Sequence, residues 1–125
     1  MTRQRQDLGR LGEDLAAAHL ESLGFTITDR RFRTRLGEID IVARRPGQIL
    51  FVEVKLRRQG RFGTPAESVH PGKQARLARV AAQWLAARAP SGDEAEPECR
   101  FDVIAILEEP PGRLRLEHIR DAFRP

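Results

Sequence analysis

One carboxylate and one lysine flank a valine in the short run Glu53-Val54-Lys55. A second carboxylate, Asp40, lies thirteen positions before Glu53. The chain contains twenty arginines but only two lysines, Lys55 and Lys73. Arginine cannot replace lysine where a compact ammonium or a removable proton is needed, because a guanidinium group is forked and permanently charged. A lysine kept in this composition, next to two acids, therefore indicates a chemical role.

Two segments rich in β-branched residues predict the strands that carry these side chains, Glu38 to Ala43 and Ile49 to Leu56. The turn signal Arg45-Pro46-Gly47-Gln48 joins them, so we expect an antiparallel hairpin. Facing residues of such a hairpin share one side of the sheet, with their Cβ atoms about 4.5–5.5 Å apart. A slip of one residue would turn every side chain to the other side, so the register decides whether the charged groups meet.

A symmetric turn places Asp40 opposite Glu53 and Glu38 opposite Lys55. Side chains alternate along a strand, so Glu38 also shares a side with Asp40, and Glu53 with Lys55. Two facing carboxylates repel unless a cation lies between them, and Mg²⁺ or Mn²⁺ prefers such oxygen ligands. The alternative is a surface ladder in which Lys55 only balances the acids, but apolar neighbours such as Ile41 favour a buried hairpin.

The two predicted helices each supply one further polar candidate. Glu13 lies away from the centre of its helix's polar side and near Ala16 and Ala17, so it either turns toward the sheet or edges the polar stripe. Gln74 precedes Leu77 on the apolar stripe of the second helix. There its amide either contacts a phosphate or a water molecule, or caps a buried backbone group.

Hydrophobic periodicity and the placement of glycine and proline divide the chain into seven elements. In chain order they are the helix Asp7 to Leu23, the strands Phe25 to Arg33, Glu38 to Ala43 and Ile49 to Leu56, the helix Pro71 to Ala89, and the strands Phe101 to Leu107 and Leu114 to Ile119. A helix between the third and fourth strands predicts a right-handed crossover inside a mixed sheet. The expected fold class is α/β, in the order α-β-β-β-α-β-β.

Composition indicates a single domain over residues 1–125, with 40% hydrophobic and 32% charged residues. We expect residues 1–6 to form a flexible basic tail and residues 90–98 a solvated acidic loop. The net charge of +4 favours a polyanionic partner, although an arginine-rich proteome would give the same charge. No segment resembles a signal peptide or a membrane span, and a single cysteine, Cys99, suits a reducing cytoplasm.

An ordered set of short motifs runs through the chain. It consists of Gly37-Glu38-Ile39-Asp40, Phe51-Val52-Glu53-Val54-Lys55, Arg61-Phe62-Gly63, Lys73-Gln74 and Arg100-Phe101-Asp102. This set resembles the PD-(D/E)xK nuclease superfamily, which has the restriction-endonuclease-like fold, and more closely the YraN-like family, which is similar to archaeal Holliday-junction resolvases in fold and motif placement. The resemblance covers about Leu8 to Phe123. One departure is Ile39, which stands where the superfamily's name has proline.

The resemblance implies a metal-dependent nuclease. Position by position, it makes Asp40 and Glu53 ligands of Mg²⁺, for which Mn²⁺ can substitute, and Lys55 the catalytic lysine. The backbone carbonyl of Val54 would complete the protein ligands. Lys55 would position or deprotonate the attacking water, or offset charge on the phosphate during hydrolysis of a phosphodiester bond.

The resemblance extends to the helices, whereas the expected substrate follows from composition. Glu13 would match the first-helix acid of the resolvase-like members and reach the metal directly or through water, and Gln74 would match the polar residue of the second helix. The expected substrate is DNA, preferably duplex or branched, because few aromatic residues are present to stack on single strands. The residues expected to hold its phosphates are Arg57, Arg58, Arg61, Lys73 and Arg76.

Two other classes of function stay open on the sequence alone. One is a catalytically silent nucleic-acid-binding protein of the same fold, and the other is a protein-interaction factor that uses an exposed sheet edge. The first would bind DNA in a salt-dependent way without turnover, whereas the second would show neither metal dependence nor salt-dependent binding. The sequence is compatible with DNA or RNA as substrate and with a monomer or a homodimer.

Overall fold

The computed structural model describes residues 3–58, 69–88 and 96–125. Two helices and five strands occur in the order expected from the sequence. They are α1 (Arg3–Ser22), β1 (Thr26–Thr34), β2 (Gly37–Arg45), β3 (Gln48–Arg58), α2 (Pro71–Arg88), β4 (Glu98–Glu108) and β5 (Leu114–Phe123). This α/β arrangement matches the restriction-endonuclease-like fold that the motifs predicted.

The five strands form one sheet in the order β1-β2-β3-β4-β5. Neighbouring strands are antiparallel except β3 and β4, which run parallel. Parallel neighbours need a long connection from one end of the sheet to the other, and α2 lies within that connection. The expected mixed sheet is therefore confirmed.

The boundaries of two expected segments differ from the prediction. α1 begins at Arg3, so residues 3–6, which we expected in a flexible tail, belong to the helix. β4 begins at Glu98, so the end of the expected acidic loop is a strand residue. Residues 90–95 of that loop lie outside the described part of the chain.

The sheet separates two hydrophobic clusters. One contains Ile49, Phe51 and residues of α2 such as Trp84, and the other contains Leu50, Val52 and residues of α1. Alternate residues of β3 thus pack on opposite helices, as a strand buried on both sides requires. Continued alternation places Glu53 and Lys55 on the α2 side. Neither helix is long and apolar enough to cross a membrane.

The β2–β3 hairpin has the predicted register near its turn. Arg45 pairs with Gln48 across Pro46 and Gly47, and the pairing continues as far as Ile41 with Val52. Gly47 has φ of 78°, which the third residue of a type II turn requires and which glycine adopts without steric cost. The register that brings the charged residues together is therefore confirmed over residues 41–45.

The ladder between β2 and β3 ends just before the charged residues, so the predicted facing pairs are wrong in detail. Asp40 is paired neither with Glu53 in β3 nor with Arg31 in β1, and Arg31 has φ of 56°. Ile39 and Ile41, two positions apart, belong to the clusters on opposite sides of the sheet. Since strict alternation would put them on one side, β2 is irregular at Asp40.

Candidate active site on the second and third strands

Glu53 is the centre of a compact charged group on the α2 side of the sheet. Its side chain is buried, and its Oε1 lies 3.2 Å from Nζ of Lys55 and 2.5 Å from Nζ of Lys73. The only two lysines of the chain therefore meet on one carboxylate oxygen. We refer to Asp40, Glu53, Lys55 and Lys73 as the acid–lysine cluster.

Asp40 joins this cluster through the backbone of β3. Its Oδ2 accepts a hydrogen bond of 2.8 Å from the backbone N–H of Val54. The side chain thus occupies the place of the missing ladder partner, which explains why the strand pairing stops before it. Burial, followed by the nearby charge of Glu53, raises the pKa of Asp40 to about 7, although the Val54 hydrogen bond opposes this shift.

The two lysines are shifted in opposite directions. Burial and the neighbouring ammonium of Lys73 lower the pKa of Lys55 below its ordinary value, against the pull of Glu53. Burial would also lower the pKa of Lys73. Its hydrogen bonds to Glu53 and Lys55, and the charges of Glu53 and Asp40, outweigh burial and raise this pKa. Lys55 is consequently the lysine that more easily loses a proton.

Glu38 does not face Lys55, which corrects the prediction from the symmetric hairpin. Glu38 faces Arg33 of β1, and Nη2 of Arg33 lies 2.9 Å from Oε2 of Glu38. The reason is the irregularity at Asp40, beyond which β2 pairs only with β1. Glu38 still lines the same cleft as Asp40 and Glu53 and adds to the raised pKa of Asp40.

Glu13 turns toward the sheet, the first of the two orientations that the sequence allowed, but arginines bind it there. Nε of Arg31 lies 3.0 Å and 3.1 Å from its two carboxylate oxygens, and Nη2 of Arg30 lies 3.5 Å from Oε2. Its charge contributes to the raised pKa of Asp40. Glu13 is therefore an electrostatic neighbour of the cluster.

Gln74 caps a buried backbone group, the second of its two sequence interpretations. Its Nε2 donates a 2.9 Å hydrogen bond to the carbonyl of Val69, and its own N–H bonds the carbonyl of His70 at 2.9 Å. These contacts hold the first turn of α2, which carries Lys73. Gln74 thus acts on the cluster through the position of the helix.

Of the five residues expected to hold phosphates, two line the cleft. Lys73 is bound to Glu53, and Arg76 is exposed and lines the cleft beside it. Arg57 is partly buried and donates a 3.5 Å hydrogen bond to the carbonyl of Leu56. Arg58 ends β3, and Arg61 lies outside the described residues.

An open cleft of about 380 Å³ gives access to the cluster between the β1–β2 turn and α2. Its charged lining consists of Glu38, Asp40, Glu53, Lys73 and Arg76, with Leu36 at its rim. Within the described part of the chain, Leu36 is one of three large apolar side chains that are exposed, at 39%. The cleft is large enough for a phosphate group and its neighbouring sugars.

The donor set of the cluster consists of oxygen atoms, which a hard divalent cation prefers. Asp40 and Glu53 offer carboxylate oxygens in the cleft, and Val54 follows Glu53 with a backbone carbonyl. Mg²⁺ usually takes one or two carboxylates and keeps several water molecules, so this set is sufficient for it. In the described ranges 3–58, 69–88 and 96–125, no three His, Cys, Asp or Glu side chains come together as ligands.

Comparison with known proteins decides the family. A sequence profile described as "Uncharacterised protein family UPF0102" matches residues 12–106. A UPF0102 protein of Frankia alni is 44% identical over 121 residues, covering 97% of this chain and 98% of the relative. One of Acidothermus cellulolyticus is 46% identical over 125 residues, with 95% of each chain covered, and one of Symbiobacterium thermophilum is 47% identical over 116 residues, with 93% and 95% covered. The chain belongs to the UPF0102 (YraN) family.

The UPF0102 match contains the whole acid–lysine cluster. It begins one residue before Glu13 and ends at Ile106, within β4. The predicted resemblance to the YraN-like family is thus confirmed. The name of the UPF0102 family specifies no reaction.

A second polar group of this UPF0102 chain was missed by the sequence interpretation. Asp102 is fully buried, and its carboxylate is bound by Arg100 and His118. Burial raises its pKa, but the hydrogen bonds from His118 and Arg100 outweigh burial and lower it overall. The motif Arg100-Phe101-Asp102 was the available signal. His118 could not be connected with it, because the two meet only when β4 and β5 pair.

Arg31 was also missed. Its Glu13 contact raises the pKa of its guanidinium, and the charges of Glu38 and Asp40 add to this shift. A positive φ is unusual for arginine, so the backbone of β1 is strained where it passes Asp40. A run of basic residues gives no sequence signal for such a position.

Proposed function

We propose that this chain is a metal-dependent endonuclease that hydrolyses phosphodiester bonds of DNA. The observation that carries the proposal is the convergence of Asp40 and Glu53 in one open cleft, with Nζ of Lys55 3.2 Å from Glu53. Burial and the charge of Glu53 raise the pKa of Asp40 to about 7, so a bound cation would stabilise its charged form. A buried carboxylate pair beside a lysine of lowered pKa is the arrangement expected where a cation and an anionic substrate bind together.

The carboxylates of Asp40 and Glu53 and the carbonyl of Val54 would hold Mg²⁺, or Mn²⁺ in its place. Such an ion polarises the scissile phosphate and lowers the pKa of its bound water. The irregularity of β2 at Asp40 is important here, because it lets the carboxylate accept the hydrogen bond from the backbone N–H of Val54 in β3. Glu13 would contribute through water, since Arg31 holds its carboxylate.

Lys55 would act on the reacting groups. Its ammonium lies 3.2 Å from Glu53, so it is positioned beside the proposed metal ligands. Partial burial lowers its pKa, which makes transfer of a proton easier than for an exposed lysine. In its charged form it would offset the negative charge that develops on the phosphate.

DNA is the preferred substrate, and two cations of the cleft lining, Lys73 and Arg76, would hold its phosphates. Lys73 and Arg76 lie at the start of α2 and face the opening, and Arg57 and Arg58 end β3. Contacts of this kind recognise the phosphate backbone without reading the bases, so binding should weaken steeply with salt. A branched or flapped duplex fits an open cleft better than a channel-bound single strand.

The geometry also favours a second candidate, a nucleic-acid-binding protein without turnover. Two lysines already neutralise Glu53, and arginines bind Glu13. A protein that has exchanged its metal for internal cations would keep the cleft and the phosphate contacts. This reading predicts DNA binding that does not depend on Mg²⁺ or Mn²⁺.

Cleavage assays separate the two candidates. Linear, flapped and four-way DNA would be incubated with the purified chain, with Mg²⁺, with Mn²⁺ or with EDTA. Under the nuclease proposal, cleavage requires the metal and is abolished in Asp40→Ala, Glu53→Ala and Lys55→Ala. The matched control is Asp14→Ala, because Asp14 is an exposed α1 acid that pairs with Arg30 outside the cleft. Equal residual cleavage in all variants would identify a contaminating nuclease.

A further inference from the structure

A chain of three polar side chains, His19, His118 and Asp102, joins α1 to the sheet. Nε2 of His118 lies 2.7 Å from Oδ2 of Asp102, and Nδ1 of His118 lies 3.0 Å from Nε2 of His19. The planes of the two imidazole rings are nearly perpendicular, at 83°, with centroids 5.1 Å apart. We call these three residues the histidine pair and its aspartate.

The histidine pair is separate from the acid–lysine cluster. His118 pairs with Ile104, which packs in the α1 cluster, whereas Glu53 and Lys55 lie on the α2 side. The sheet therefore lies between the two groups. Nothing in the proposed nuclease function uses His19, His118 or Asp102.

Asp102 fixes the orientation of His118. It is fully buried and is also bound by Arg100 at 2.8 and 2.9 Å and by the backbone N–H of Asp121 at 3.0 Å. An ionised carboxylate can only accept hydrogen bonds, and Arg100 and the N–H of Asp121 already donate to it. Nε2 of His118 must therefore also donate to Asp102, so Nε2 carries the proton. In the neutral ring Nδ1 then has a free lone pair, and this lone pair points toward His19.

We propose that His19 and His118 bind one divalent ion of the class that prefers imidazole, with Zn²⁺ as the first candidate. Zinc–nitrogen bonds of about 2.0–2.1 Å in a tetrahedral arrangement set two ligand nitrogens about 3.3–3.4 Å apart. The observed 3.0 Å between the two nitrogens would widen by a few tenths of an ångström, and the rings would turn so that both lone pairs meet at the ion. His19 moves its ring proton from Nε2 to Nδ1, so no net proton is released.

The surroundings of His118 match those of a metal ligand. A ligating histidine commonly donates its second N–H to a carboxylate, which fixes the ring and raises its basicity, and Asp102 occupies that position. The described residues offer no third side-chain ligand here, so solvent completes the coordination. Mg²⁺ is a poor occupant because it prefers oxygen, which distinguishes this site from the acid–lysine cluster.

The ion would act as a clamp between α1 and β5. His19 lies near the end of α1 and is partly exposed, which leaves a path for the ion, whereas His118 is only 7% exposed. A ligand that binds only the folded state stabilises it. Bound Zn²⁺ should therefore raise the unfolding temperature.

The test uses the full chain without a histidine tag and with Cys99→Ser, since the exposed thiol of Cys99 could bind zinc itself. Calorimetric titration with Zn²⁺ and visible absorption with Co²⁺ measure binding. With Mg²⁺ in excess to occupy the acid–lysine cluster, we expect one Zn²⁺ per chain, with affinity at least tenfold lower in His19→Gln. His70→Gln is the matched control, because His70 is exposed at the start of α2, and it should bind as the parent does.

Two further measurements separate loss of zinc binding from loss of folding and from binding at the acid–lysine cluster. His19→Gln retains a side chain that can hydrogen-bond His118, so a melting curve without zinc should match the parent, while the zinc-induced rise in unfolding temperature should disappear. Excess Mg²⁺, which prefers oxygen ligands, should leave Zn²⁺ binding at the histidines unchanged. Unchanged affinity in His19→Gln, or displacement of the Zn²⁺ by Mg²⁺, would overturn the zinc site and leave the nuclease proposal to its own assay.

Discussion

Lys73 and Glu53 tie the first turn of α2 to the central strand of the sheet, with Nζ and Oε1 2.5 Å apart. Nζ of Lys55 lies 3.2 Å from the same oxygen. An ammonium in this position neutralises the carboxylate that the proposed metal ion needs. Lys73 and a divalent ion should therefore compete for Glu53, and a DNA phosphate that draws Lys73 away would help the ion to bind.

Replacing Lys73 should strengthen metal binding. In Lys73→Gln we expect Mn²⁺ to bind several-fold more tightly in the absence of DNA, because the competing positive charge is gone. Electron paramagnetic resonance of free Mn²⁺ measures this directly. Arg76→Gln is the control, since Arg76 lines the same cleft without contacting Glu53 and should change the affinity little. Weaker Mn²⁺ binding in Lys73→Gln would count against competition.

Lys55→Arg should remove DNA cleavage although it keeps the charge. A forked guanidinium is too large for the partly buried position beside Glu53, and it does not release a proton near neutral pH. Cleavage is expected to fall at least a hundredfold, while Mn²⁺ binding, measured separately, is retained. A fully active arginine variant would show that Lys55 is only a countercharge.

Asp40 should make the protein less stable as the pH rises. Its pKa is about 7 in the folded chain and lower in the unfolded chain, near the ordinary 3.8, so the folded state holds the proton more tightly. Stability from this group is complete below about pH 4 and is lost as the pH rises toward 7. Asp40→Asn removes that loss and should stabilise the protein by about 1–3 kcal/mol at pH 8, but not at pH 4.

Thermal unfolding in EDTA at both pH values measures the effect of Asp40→Asn. Asparagine can still accept the hydrogen bond from Val54, so the local structure is retained. Asp14→Asn serves as the control, because the Asp14 side chain is 61% exposed. An equal change at both pH values would show that the buried charge of Asp40 is not the cause.

The backbone at Arg31 should prefer asparagine to alanine. Its φ of 56° lies in the left-handed region, which asparagine tolerates better than other residues with a side chain. Arg31→Asn should therefore be more stable than Arg31→Ala by about 0.5–1 kcal/mol in urea unfolding, because both lose the same contact with Glu13. The same pair of changes at Arg30 is the control and should give no advantage to asparagine.

The fold and the core of the site could be predicted from local patterns. The β-branched runs and the Pro46-Gly47 turn determine the hairpin, and its register follows from the turn, so Glu53 and Lys55 were correctly assigned to one side of β3. The scarcity of lysine singled out Lys55 and Lys73. Both signals are local, because side-chain direction in a strand depends on the period of two.

The partners of each charged group depended on tertiary structure. The sequence predicted Glu38 beside Lys55, but the irregularity at Asp40 moved Glu38 to Arg33, and Lys73 from α2 took a place at Glu53. Pairing of this kind is decided by which elements approach in space. The sequence by itself therefore determined the elements, the register near the turn and the placement of Glu53 and Lys55 on one side of β3. Only packing decided which cation neutralises which carboxylate, because electrostatic pairing depends on distances between elements remote in the chain.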